Sequence, residues 1–158
     1  MAESAAEALA LAAEEQDLVH SELQALLPGL SGPRRQAYEA LAAGVARGQV
    51  PAAALPLLEQ VVVLALRTGR ARQVYRAEGE RVLTGLLRRL PCGQALQRSL
   101  HEVNQALQTL RGQPLLGIQL GMRTLGHFTV TIETPAATLT LALQPQEVRV
   151  ESLSVGSG

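Results

Sequence analysis

The sequence predicts an α+β fold, in which about five helices are followed by a C-terminal three- or four-stranded antiparallel β-meander. Apolar residues recur at three- and four-residue steps through residue 112 and then alternate with polar residues. The 158 residues are 47% hydrophobic, which is enough for a packed core. We expect a single domain, with a helical region at 1–112, a meander at 113–153 packed on the helices, and a flexible tail at 154–158.

The first predicted helix spans residues 3–27 and has Ser4 at the position of a capping residue. Its apolar positions follow alternating four- and three-residue steps, which is the spacing of a short heptad repeat. The stripe favours either a seam between copies of the chain or the buried face of an ordinary amphipathic helix. The candidate oligomer seam is Leu9, Ala12, Gln16, Val19, Leu23 and Leu26.

Two shorter helices come next. Pro33 suits the first turn of the second helix, which Gly48 ends. The third helix begins at Pro51 or Pro56 and is apolar on nearly all sides, so it is expected to be central.

The fourth helix is predicted at about 72–90 and the fifth at 94–110, with Pro91-Cys92-Gly93 as the break between them. Gly79 lies on the apolar face of the fourth helix, which indicates close approach of a neighbouring helix.

The meander is predicted from four segments in which apolar and polar residues alternate, separated by turn-like sequences. One face of the sheet is then aliphatic and the other is rich in threonine. The aliphatic face must be covered, and the helices are the available cover. The alternating apolar residues are Ile118, Leu120, Met122, Phe128, Val130, Ile132, Leu139, Leu141, Leu143, Val148 and Val150.

The charges are unevenly spread although the net charge is zero. Residues 1–27 carry six acidic and no basic residues, whereas residues 61–112 carry nine arginines and three glutamates. The arginines favour either contact with several phosphates or a helix face that is ion-paired with the acidic first helix. The candidate anion or nucleic-acid contacts are Arg67, Arg70, Arg72, Arg76, Arg81, Arg88 and Arg89.

Catalytic and metal-binding patterns are weak. One cysteine excludes a disulfide framework, and three aromatic residues exclude a stacking platform for single-stranded nucleic acid. Cys92 at a helix start is a candidate reactive thiol, because the free N–H groups there lower a thiol pKa. His20, His101 and His127 lack the spacing of a metal site. We expect no enzyme activity, no metal and no cofactor.

The compartment is predicted from two absences. No charged segment precedes an apolar run at the N-terminus, and the most apolar stretch, Pro51–Leu66, is shorter than the roughly 20 residues that a spanning helix needs. We therefore expect a cytoplasmic protein without membrane contact.

The favoured functional hypothesis is a non-enzymatic protein-interaction, assembly or regulatory module that forms a homo-oligomer or binds a protein partner. The seam, the charge asymmetry and an edge strand that can pair with another chain support it. The alternative is a nucleic-acid or polyanion binder that uses the arginine-rich segment 67–89.

Overall fold

The computed structural model describes residues 8–156. Within this range the fold is α+β, with five helices followed by a four-stranded antiparallel sheet, which confirms the predicted fold class. The chain forms two compact units, Met1–Gly93 and Gln94–Gly158. The elements are β1 (Leu9–Ala10), α1 (Ala13–Leu26), α2 (Gly32–Ala46), β2 (Gln49–Val50), α3 (Leu55–Arg67), α4 (Arg70–Arg89), α5 (Pro91–Gln108), β3 (Gly117–Thr124), β4 (His127–Glu133), β5 (Ala137–Gln144) and β6 (Glu147–Val155).

Helices α1 to α4 and the β1–β2 ribbon enclose the core of the first unit. As predicted, α3 is central: it contacts the other three helices, and Leu58 and Val62 are completely buried. Gly69 has a φ of +72° and separates α3 from α4 at the expected position. The most deeply buried side chains of this unit are Val19, Leu23, Leu41, Val45, Val50, Leu58, Val61, Val62, Leu83, Leu86 and Leu90.

The start of the first unit departs from the prediction. β1 pairs with β2 in an antiparallel ribbon, and α1 begins only at Ala13. The Leu11 N–H donates to the Gly48 carbonyl at 3.0 Å, so the backbone before α1 finds its partner in the turn after α2 rather than in its own helix. The predicted cap, Ser4, lies outside the described residues.

Helix α4 is kinked, whereas a continuous helix was predicted. Arg76 has φ +62° and ψ −162°, a conformation that residues with a side chain rarely adopt. A Cβ on Gly79 would lie 2.1 Å from the Cβ of Tyr75. The glycine therefore accommodates Tyr75 of its own helix at the kink.

Helix α5 begins at Pro91, three residues before the predicted start. The break lies at Leu90, whose backbone is extended with a ψ of 154°. Proline is tolerated in the first turn of a helix because its missing N–H is not needed there, so Pro91 starts α5 instead of separating two helices.

The second unit contains the sheet, whose strands follow the order β3-β4-β5-β6 with antiparallel neighbours throughout. Val103 of α5 packs with Leu139 and Leu141 in a separate buried cluster. β6 continues through Val155, where a tail was predicted from residue 154, because its last residues pair with the start of β5.

Candidate functional site

The sheet has one apolar face, and the register defines it. Residues directly opposite each other on neighbouring strands point to the same side of a sheet. Leu120 lies opposite Val130, Val130 opposite Leu141, and Leu141 opposite Val150, so one apolar row crosses all four strands. The complete apolar face consists of Ile118, Leu120, Met122, Phe128, Val130, Ile132, Leu139, Leu141, Leu143, Val148, Val150 and Leu153.

Helix α5 covers only part of this face. The cluster around Leu139, which is 0% exposed, includes residues of β4, β5 and β6. The β3 residues of the same face are 60% (Ile118), 74% (Leu120) and 63% (Met122) exposed. Helix α5 of the same unit therefore leaves the β3 part of the face exposed. We call the uncovered residues the β3 strip: Ile118, Leu120, Met122 and, on β4, the 38% exposed Phe128.

The width of the sheet explains the uncovered strip. Neighbouring strands lie about 4.8 Å apart, so four strands span roughly 14 Å between the outer strand axes. An α-helix with its side chains is about 10–12 Å across, and one helix cannot cover a sheet of that width.

Strand β3 is also an open edge of the sheet. It pairs with β4 on one side, and no strand in residues 8–156 pairs with its other side. Proteins commonly protect such edges with charged residues, prolines or bulges. The opposite edge, β6, carries Glu147, Arg149 and Glu151 and has a register shift. β3 also has a register shift, between Met122 and Thr124, where its one charged residue, Arg123, lies, but its register is regular from Gly117 to Met122.

The other face of the sheet is polar, as the sequence predicted. The hydroxyl oxygens of Thr131 and Thr140 lie 3.2 Å apart on the two central strands. Arg123 on β3 forms an ion pair with Glu151 on β6 at 2.6 Å, so the two edge strands are connected by side chains. These polar groups form hydrogen bonds or ion pairs with one another, whereas the apolar side chains of the β3 strip are exposed.

The candidate arginines do not form one free cationic surface. Four of the seven have a carboxylate partner, and two of those partners belong to the acidic helix α1: Arg70 pairs with Glu22, and Arg89 pairs with Glu15. Two further pairs lie within α4, Arg72 with Glu80 and Arg81 with Glu78. Arg67, Arg76 and Arg88 form no ion pair with a carboxylate of the described residues. Part of the charge asymmetry is thus balanced inside the first unit.

Glu22 is the centre of the strongest of these contacts. The side chain is buried, and both its carboxylate oxygens accept from Arg70 Nε at 3.0 Å. The Tyr75 hydroxyl lies 2.7 Å from Glu22 Oε1 and 2.7 Å from Ser21 Oγ. Burial is the main cause that raises the pKa of Tyr75. The network connects α1 to the first turns of α4.

The candidate oligomer seam lies largely inside the first unit. Val19 and Leu23 are 0% exposed, and Leu9 and Leu26 pack against the same core. The Gln16 side-chain amide donates to the Leu11 carbonyl at 3.0 Å. Ala12 and Leu9 precede α1, so the heptad spacing does not follow one continuous helix.

Cys92 is not activated by its position at the start of α5. The Cys92 backbone N–H donates to Glu59 Oε1 at 2.7 Å. Burial raises the pKa of the Cys92 thiol, and the hydrogen bond and negative charge of Glu59 raise it further. The backbone N–H groups of Gly93 and Cys92 lower the thiol pKa, as predicted, but burial and then Glu59 outweigh them, so the thiol pKa is raised overall.

The described residues offer no metal cluster for a ligand, and the surface depressions on two of their helices are open. Residues 8–156 contain no group of three or more His, Cys, Asp or Glu side chains that could hold a metal ion. Two open surface depressions are each lined by one helix, and the one on α5 includes His101 and Arg98. Neither depression encloses an apolar pocket.

In the described part of the chain, no single helix combines the length and apolarity needed to cross a membrane. Only the pair Ala52–Arg67 and Arg70–Arg89 meets both criteria together, and its two members are bent by 101°.

Comparison with protein-family models, with curated proteins and with solved structures finds no match to this chain. The sequence contains a signal for the β3 strip and its open edge: the first strand of a meander is an edge strand, and β3 carries no charged residue before Arg123.

Proposed function

We propose that this protein is a non-enzymatic assembly module that associates with a second copy of itself through the β3 strip. The single observation that carries the proposal is that Leu120 is 74% exposed on the edge strand β3, between Ile118 and Met122, which are 60% and 63% exposed on the same apolar face. Isolated exposed apolar residues are normal, but a contiguous row of them beside a core marks an interaction surface.

The free energy available from covering the strip supports association. Full burial of an aliphatic or Phe side chain contributes about 1.5–3 kcal/mol. Scaled by their exposed fractions, the four residues of the strip would contribute about 4–7 kcal/mol per copy. Covering the strips of two copies would contribute about 8–14 kcal/mol, which is similar to the association cost of about 4–15 kcal/mol, so we expect assembly to be reversible and to depend on concentration.

The distribution of charge favours this surface over the alternatives. The β3 strip contains no charged side chain, and the cores of interfaces are depleted in charge. The arginine-rich segment is partly ion-paired and the heptad stripe of α1 is buried in its own unit. Neither offers as much free surface of one chemical kind as the strip.

A pair of variants tests the proposal. Leu120→Glu places a charge in the strip, and Gln119→Glu places the same charge on the other face of the same strand. Both positions are exposed, so both variants are expected to keep the fold, which thermal unfolding by circular dichroism verifies. Sedimentation velocity should show that Leu120→Glu weakens the dimer at least tenfold and that Gln119→Glu changes it little. Equal effects of the two variants would contradict the proposal.

A further inference from the structure

The free edge of β3 has a sequence that matches itself in the antiparallel direction. Its apolar residues, Ile118, Leu120 and Met122, are spaced symmetrically about Leu120. A two-fold axis through Leu120 places it opposite Leu120 of a second copy and places Ile118 opposite Met122. Because opposite residues share a face, this register joins the two apolar faces into one.

We propose that the second copy docks by antiparallel pairing of β3 with its own counterpart, centred on Leu120, which produces a continuous eight-stranded sheet. This inference rests on the proposed self-association and specifies its geometry. Main-chain hydrogen bonds between the two edges supply affinity, and the apolar cross-strand pairs fix the register.

The charges at the two ends of β3 complement each other in this arrangement. The carboxylate of Glu133 on β4 reaches over Gly117, since a Cβ at that glycine would lie 3.5 Å from Glu133 Oε2. The two-fold axis places Arg123 of the second copy, which already pairs with Glu151 of its own chain, opposite Gly117 and on the side of this carboxylate. Parallel pairing would instead bring like charges together, so the end charges favour the antiparallel arrangement.

The ends of the strand add apolar contacts in the same register. Leu115 is 58% exposed before β3, and Leu125 is 92% exposed in the turn after it. The axis through Leu120 brings Leu115 of each copy toward Leu125 of the other. The two-fold axis that places Ile118 opposite Met122 thus also places Leu115 opposite Leu125.

The exposed apolar area approaches the apolar area of a standard dimer interface. An aliphatic side chain that contributes 1.5–3 kcal/mol at 25 cal/mol/Å² corresponds to about 60–120 Å². The strip together with Leu115, Leu116 and Leu125 therefore exposes about 300–500 Å² of apolar surface per copy. A standard interface buries about 800 Å² per partner, of which roughly 65% is apolar in homodimers.

Disulfide trapping in the full chain tests the register. In a Cys92→Ser background, Leu120→Cys should form a disulfide-linked dimer under mild oxidation, because opposite Cα atoms in an antiparallel pair lie about 4.5–5.5 Å apart. Leu125→Cys is the matched control. It is more exposed than Leu120, yet the two copies of this residue would lie roughly 34 Å apart, so it should not cross-link with itself.

A mixture of Leu115→Cys and Leu125→Cys chains should cross-link to each other. Self-cross-linking of Leu125→Cys as efficient as that of Leu120→Cys would overturn the register. If the unmodified chain sediments as a dimer but Leu120→Cys does not cross-link, the antiparallel pairing is refuted and self-association stands. If the chain is a monomer throughout the micromolar range, both proposals fail.

Discussion

Removing the negative charge of Glu22 should destabilise the first unit more than removing any surface carboxylate of that unit. Glu22 is 4% exposed and accepts hydrogen bonds from Arg70 and Tyr75. Hydrogen bonds to a charged group contribute about 1.5–3 kcal/mol each. The side chain of Arg70 is 43% exposed, so water can replace part of the interaction that Arg70 loses when the Glu22 carboxylate is removed. We therefore expect Glu22→Gln to lower the free energy of unfolding by about 2–3 kcal/mol.

Glu39→Gln provides the matched control for this prediction. Glu39 forms an ion pair with Arg35 four residues earlier on α2, and both side chains are about half exposed. Exposed pairs of this kind contribute about 0.3–0.5 kcal/mol. Urea unfolding followed by circular dichroism measures both variants. The reasoning would be refuted if Glu22→Gln and Glu39→Gln had the same unfolding free energy within about 0.5 kcal/mol.

Three further predictions concern strain, the thiol and the second core. Arg76→Gly should stabilise the chain by about 1–2 kcal/mol in urea unfolding, because glycine adopts its positive φ without strain; destabilisation would contradict the observed kink. The thiol of Cys92 should be alkylated at higher pH in the folded than in the unfolded chain, and Glu59→Gln should move that pH down. The raised pKa of the Cys92 thiol in the folded chain means that folding favours the protonated thiol. The stability that this preference contributes is complete below the thiol pKa of the unfolded chain and is lost as pH rises through the thiol pKa of the folded chain. Alkylation of the folded chain at lower pH than the unfolded chain would refute the assignment. Leu139→Ala should lower the free energy of unfolding of the sheet by about 2–5 kcal/mol, as measured by hydrogen exchange of the sheet amides. Unchanged exchange would show that the cluster around Leu139 is not a core.

The sequence predicted elements where periodicity and turn residues agreed. The change of hydrophobic period after residue 112 predicted a meander of three or four strands, of which four are present, and Gly69 predicted the break before α4. Local pattern could not predict the kink at Arg76, because nothing about an arginine favours positive φ. Nor could it predict that Pro91 begins α5, since proline is compatible with both a break and a helix start.

The candidate site shows a different limit. The apolar face was predicted residue by residue, but its coverage was not, because alternation shows which side chains share a face and says nothing of what lies above them. Likewise the pairing of Arg70 with Glu22 connects residues 48 positions apart. The acidic and basic segments indicated such pairs in general, and only the packing of α1 against α4 determined which residues meet.

The most direct test of the central claim is the solution mass of the full chain along a dilution series in the micromolar range, measured by sedimentation equilibrium. We expect a reversible change from twice the mass of one chain to the mass of one chain on dilution, and a shift of that transition to higher concentration for Leu120→Glu. A chain that keeps the mass of a single copy at every concentration would contradict it.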